Sequence, residues 1–198
     1  MEEKLRQKPI NIVKVVLFGP ESTGKTTLSK QLSKHYNTVW APEYAREYLQ
    51  KKWNNERKTC ELNDILPIAI GQIKLENKLA KKADKVLICD TDLLETKVYS
   101  KEFYGGFVDE ILDKAAKQNK YDLYLLTYVD TPWKPDDLRD RPQLRLQMFS
   151  AFEKSLKEHH KPYILLKGDK ENRFKKATEA IDEILAKKEN LYSFSESL

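Results

Sequence analysis

The run Gly19-Pro20-Glu21-Ser22-Thr23-Gly24-Lys25-Thr26 fills the pattern G-x-x-x-x-G-K-[ST]. Both flanks suit a phosphate-binding loop, since an apolar run at 12–18 reads as a buried strand and the residues from Thr27 to His35 read as a helix. In such a loop the glycines let the backbone curl with its N–H groups inward, and the following helix turns its positive end to the same anion. A nucleoside triphosphate, taken as ATP, is therefore expected along Gly19 to Thr27. Lys25 would meet the β and γ phosphates, and the Thr26 hydroxyl would face Mg²⁺.

Other residues that could do chemistry sit where apolar runs end, and in an open parallel sheet ligands gather outside the carboxyl ends of the strands. Asp90 follows Val86-Leu87-Ile88-Cys89, the place of a carboxylate that holds magnesium. Asp92 either caps the next helix or touches the acceptor. Glu43 either takes a proton from an attacking hydroxyl or compensates a helix dipole. Arg139, Arg141 and Arg145 flank a proline-rich loop at 131–143, where a guanidinium closing over transferring phosphate would be expected. Arg46 has a choice between substrate and a surface partner one turn away. Tyr44 and Tyr48 share a helix face, and Trp133 stands in a polar loop. Together with Glu43, Asp92 and Asp130 these rings would suit a flat, cationic heterocycle on a sugar. Core packing is the alternative for the tyrosines. The segment 168–173, with Arg173 at its end, is the expected place of the adenine. His35, His159 and His160 lie at helix ends without partner spacing and are assigned no catalysis.

Short branched apolar runs alternate with longer amphipathic segments, which is the pattern of a parallel sheet covered by helices on both faces. Strands are expected at 12–18, 38–40, 85–89, 123–127 and 163–166. Helices are expected at 25–35, 43–52, 64–82, 93–104, 108–119, 145–159 and 172–187. The fold class is then α/β, a five-stranded nucleoside-monophosphate-kinase-like sheet with a mobile lid loop. The 198 residues divide into a flexible segment at 1–9, a single kinase-type domain at 10–190 and an unpatterned tail at 191–198. Cys60 and Cys89 have no metal-type spacing, the opening residues are charged, and no apolar run is long enough for a bilayer, so a cytoplasmic protein without membrane contact is expected. The formal charge of +5 is spread over helix faces with acidic neighbours, without the aromatic-interleaved basic stripe that nucleic acid would require. No heptad seam is present, and a homo-oligomer is left open.

Several short strings in order carry a resemblance: G-P-E-S-T-G-K-T-T-L from Gly19, E-Y-A-R-E-Y from Glu43, I-A-I-G-Q ending at Gln72, C-D-T-D ending at Asp92, Y-D-L-Y-L-L from Tyr121, Pro132-Trp133, and L-R-D from Leu138. This set resembles the nicotinamide riboside kinase domain of bacterial NadR-type proteins. The resemblance implies ATP-dependent phosphorylation of the 5′-hydroxyl of nicotinamide riboside to the mononucleotide, for NAD salvage. It implies Trp133 and the Glu43 to Tyr48 segment near the acceptor, Asp90 near the metal and Arg139 on the mobile loop. Full-length members also carry a nucleotidyltransferase domain with an H-x-G-H-like site and often a helix-turn-helix, and neither pattern occurs in this sequence. Asp137 stands where the family pattern has glycine. The rival readings are a kinase for another nucleoside or nucleotide, and a nucleotide-dependent switch that phosphorylates no metabolite.

Overall fold

The apolar run ahead of the glycine loop forms β1 (Val13–Phe18), buried along its whole length. A strand buried on both faces needs a neighbour on each side and helices above and below. β3 (Val86–Cys89) and β4 (Leu123–Thr127) supply the neighbours, both parallel to β1, with Val15 opposite Ile88 and Leu123. β2 (Trp40–Ala41) and β5 (Tyr163–Leu166) close the edges in the order β2-β3-β1-β4-β5. The computed structural model describes residues 2–138 and 141–195, with side chains as far as residue 190.

Alternation along β1 divides the core. Val13, Val15 and Leu17 join Leu28 and Leu32 of α1 (Lys25–His35) and Ala177 and Ile181 of α7 (Lys170–Ser195). Val16 and Phe18 face the other way, toward α3 (Leu62–Ala80), α4 (Leu93–Phe103), α5 (Glu110–Gln118) and α6 (Arg145–Glu158), whose Ile73, Leu94, Leu112 and Phe152 complete that layer. α2 (Tyr44–Glu56) lies outside this layer against α3. Among the described residues, no helix is long and apolar enough to cross a membrane.

The structure departs from expectation at three places. The second strand was expected at 38–40, but the residues that pair are Trp40 and Ala41. Thr38 is drawn off instead, its N–H donating to Ser33 at the end of α1 and its hydroxyl to Val86 O. The opening segment, expected to be flexible at 1–9, is docked over its described part. Leu5 is fully buried, Gln7 donates to Glu76 at 2.9 Å, and the Lys8 N–H donates to Asn77 at 2.8 Å. The last helix also runs on to Ser195, into the stretch read as an unpatterned tail.

Candidate nucleotide and acceptor site

The glycine loop joins the end of β1 to the start of α1, and Gly24 takes φ 87°, a left-handed conformation that a side chain would strain. No side chain caps α1 there, so the first-turn amides stay available to an anion. The loop is held from behind by the sheet's other strand ends. Thr23 shares a hydrogen bond of 2.7 Å with Thr127 at the end of β4, and Thr131 donates to Ser22 O at 2.7 Å. Arg145 reaches Ser22 O and Thr131 O, and its guanidinium lies 5.6 Å from the Trp133 ring centroid.

Lys25 begins α1 and is buried. Its ammonium donates to Gly19 O and to Pro20 O, and stands 3.2 Å from Glu95 Oε1. Burial works to strip its proton, but the charges of Glu95, Glu43 and Asp90 outweigh that and hold the ammonium above its ordinary range. One turn into the cleft, Thr26 donates to Asp90 Oδ2 at 2.6 Å. The other oxygen, Asp90 Oδ1, is buried without a partner. A hydroxyl beside a half-satisfied carboxylate is a hard, all-oxygen donor set that fits Mg²⁺, the rest of whose coordination phosphate and water customarily supply. Burial, with the nearby Glu43 charge, pushes the Asp90 carboxyl up to about 6 despite the Thr26 hydrogen bond.

Beside this pair opens a cavity of about 210 Å³. Its walls carry the carboxylates of Glu21, Glu43 and Glu95 together with Tyr99, Phe103 and Tyr104. Arg141 also lines it, with its guanidinium 4.7 Å from the Phe103 ring centroid. Glu43, at the N-terminus of α2, lines both this cavity and the groove that holds Thr26 and Asp90. Trp133 stands at the cavity's edge, in a recess that shares Glu21, Phe103 and Arg141 with it.

Other expected positions are engaged by neighbours, each for a visible reason, while Tyr44 and Arg46 also line the groove with Thr26, Glu43 and Asp90. Asp92 does not face the cavity, because its buried carboxylate accepts from the Glu95 N–H that starts α4 at 2.9 Å and from the Tyr124 hydroxyl at 2.8 Å. Asp130 is taken by Arg173 and by the Gly168 N–H, so it contributes nothing to an acceptor pocket. Arg173 itself is buried behind the glycine loop and donates to Gly168 O, Thr23 O and Tyr128 O, which makes it a support of the loop rather than an adenine contact. Tyr48 donates to Asp64 on α3 at 3.1 Å. The Tyr44 ring is seated on Gly71, where an added Cβ would come within 2.0 Å of it. Arg46 is engaged at the surface by both oxygens of Asp136, at 3.0 and 2.7 Å, which ties α2 to the loop after β4. Arg141 and Glu21, expected on the nucleotide, both line this cavity. Gly19, Pro20, Ser22 and Thr23 form the loop, and Thr27 is exposed on the first turn of α1. Arg139 lies outside the described residues.

Two residues outside the expected set also shape the site. Gln72 is buried, accepting from the Tyr44 N–H at 2.8 Å and donating to Pro42 O, so it fixes the start of α2 and with it Glu43. Glu95 stands three residues after Asp92, the spacing of a reciprocal helix cap. Only half of that cap forms, and the Glu95 side chain turns to Lys25 and to the Gly19 N–H. Burial pushes its carboxyl up to about 8 against the pull of Lys25.

Three buried carboxyls, Asp90, Asp92 and Glu95, thus hold their protons more tightly when folded, Asp92 also at about 6 through burial. The folded chain binds more protons than the unfolded one, so their contribution is complete below about pH 4 and is lost as pH rises toward 8. Denaturant unfolding without nucleotide should therefore show stability falling between pH 6 and 8, and Glu95→Gln should flatten that slope. An unchanged slope would refute the assignment to Glu95.

A parallel sheet with the glycine loop after its central strand and an aspartate after the adjacent one defines a P-loop nucleotide-binding protein with the kinase fold. The chain belongs to the AAA domain family, whose model matches residues 14–173. It is 29% identical over 184 residues to the trifunctional NAD biosynthesis/regulator protein NadR of Salmonella typhimurium, which covers 90% of this chain and 44% of that protein. The chain thus spans less than half the length of this curated relative. Among solved structures it is similar to a NadR protein in complex with NR, with a TM-score of 0.72 and 21% identity over 87% of this chain and 51% of the other. The thymidylate kinase of Ehrlichia chaffeensis follows at TM-score 0.62 and 16% identity, over 87% of this chain and 100% of the other.

Proposed function

We propose that the chain is an ATP-dependent nucleoside kinase that phosphorylates the 5′-hydroxyl of nicotinamide riboside, giving the mononucleotide for NAD salvage in the cytoplasm. The observation that carries this reading is the position of Glu43, which lines the Thr26–Asp90 groove and the acid-rich aromatic cavity at once. A nucleoside seated in the cavity would turn its 5′-hydroxyl toward that carboxylate. The hydroxyl oxygen forms the new bond to the γ-phosphorus, the bond to the β-bridging oxygen breaks, ADP leaves, and the hydroxyl proton passes to Glu43. Lys25 and the α1 amides stabilise charge on the transferring group. Thr26 and Asp90 would hold Mg²⁺, which when bound offsets the negative charge of the β and γ phosphates.

Glu21 and Glu43 against the single guanidinium of Arg141 in the cavity wall favour a cationic base, and the aromatic walls favour a flat one. The NadR likeness, including a relative solved in complex with NR, supports the same acceptor. The test is ADP release from Mg-ATP with nicotinamide riboside, the ordinary ribonucleosides and the deoxyribonucleosides supplied in turn. Preference for the pyridinium nucleoside is expected. Faster turnover of another nucleoside would assign a different acceptor, and equal ADP release with none would leave an ATPase. Glu43→Gln should lower kcat by about 10²-fold, as loss of a general base does, with the KM for ATP changed by less than about threefold. A kcat within a factor of two of the unmodified protein would remove Glu43 from the chemistry.

A further inference from the structure

Glu95 stands between the two halves of the site. Its helix start is already capped by Asp92, so the side chain is not needed there. It is 2% exposed, with one oxygen 3.2 Å from Lys25 Nζ and the other accepting from the Gly19 N–H at 3.3 Å. The same carboxylate lines the acceptor cavity with Glu21 and Glu43, whereas Lys25 does not. Among the described residues its ion pair is with Lys25.

When Lys25 turns to a triphosphate, the cation beside Glu95 is withdrawn. A buried carboxylate that loses its partner is strongly destabilising unless another positive charge or a proton replaces it. The cavity is the side from which a replacement can come. We propose that Glu95 couples the two substrates: once Lys25 has turned to the nucleotide, a cationic nucleoside in the cavity can take the lysine's place beside Glu95 and displace its proton, so ATP tightens the site for a cationic nucleoside and not for a neutral one. This rests on the reading of the cavity as an acceptor site for a pyridinium nucleoside. By linkage the cationic acceptor tightens nucleotide binding by the same factor. With a neutral acceptor the carboxyl keeps its proton instead, as burial favours.

Calorimetry on the full chain tests this, using nicotinamide riboside and its uncharged dihydro form, each with and without Mg-AMP-PNP. The unmodified protein should bind the cationic form about tenfold tighter in the presence of AMP-PNP, within the usual range of coupling between sites, and the neutral form less than about threefold tighter. Glu95→Gln should erase that difference and raise the acceptor KM at saturating ATP. Equal tightening of both forms in the unmodified protein overturns the proposal without any variant, and so does a charge-dependent tightening that survives in Glu95→Gln. If nicotinamide riboside neither binds nor is phosphorylated, the proposed function fails and the coupling falls with it. If it is phosphorylated but the tightening ignores charge, only the coupling fails.

Discussion

Lys25→Met is expected to lower kcat/KM for phosphoryl transfer by about 10³-fold, the scale on which a positioned charge stabilises a transferring phosphoryl group. The methionine keeps most of the apolar stem that threads the buried space under the loop, so the variant isolates the charge. Among the described residues, neither Arg173 nor Arg145 is placed to replace Lys25. Arg173 is locked behind the loop by four acceptors, and Arg145 is spent on Ser22 and Thr131. The substitution also leaves Glu95 buried without its cation. Because burial already pushes that carboxyl up to about 8, it holds a proton at neutral pH, and the chain should remain folded. Adding Glu95→Gln to Lys25→Met should then recover any lost melting temperature and none of the activity. Steady-state ADP release and thermal melts on the two variants measure this. Activity within tenfold of the unmodified chain would mean that the loop lysine does not face the phosphates.

The loop was legible in the sequence because everything it needs is local: an apolar strand, two glycines and a helix within about a dozen residues. The strands on either side of β1 were legible for the same reason, since each is a continuous branched run. Direction was harder to read. Tyr44 and Tyr48 do share a face, as their spacing requires, but spacing does not say what the face meets, and here it meets α3. The signal for Tyr44 was Gly71, whose missing side chain makes room for the ring. Asp130 was read as a binding carboxylate because it follows a strand, yet its partner Arg173 comes 43 residues later and no local pattern joins them. Glu95 carries no sequence signal of its place in the site, because only the fold brings Lys25 alongside it.

Charge placement explains why these buried groups cluster at one end of the sheet. Each strand end leaves backbone groups unpaired, and polar side chains there satisfy them while facing the cleft. Asp92, Thr127 and Thr131 do the structural part of that work, which leaves Glu43, Asp90 and Glu95 with oxygens directed at the site. The fold therefore tolerates three nearby carboxylates by giving one a threonine, one a lysine and one an edge on solvent.

Arg173→Ala should cost the folded state about 3–5 kcal/mol, the range for breaking a buried charge pair by removing one partner. The guanidinium is 5% exposed and serves Gly168 O, Thr23 O, Tyr128 O and the Asp130 carboxylate together. Alanine would leave three carbonyls and a carboxylate around a hole, at the point where α7, the end of β4 and the glycine loop meet. Arg173→Lys should rescue little, because a single ammonium cannot span the planar fork of acceptors that the guanidinium fills. A fall of about 10 °C in melting temperature is expected for a chain of this size. The KM for ATP should rise as well, since Thr23 O is the loop's anchor on that side. Asp130→Asn should do less harm than Arg173→Ala, because the three carbonyls remain to hold the guanidinium. Urea unfolding and ATP kinetics on the three variants separate the outcomes. If Arg173→Ala keeps its stability but loses ATP affinity alone, the arginine is a nucleotide contact after all and not a brace for the loop.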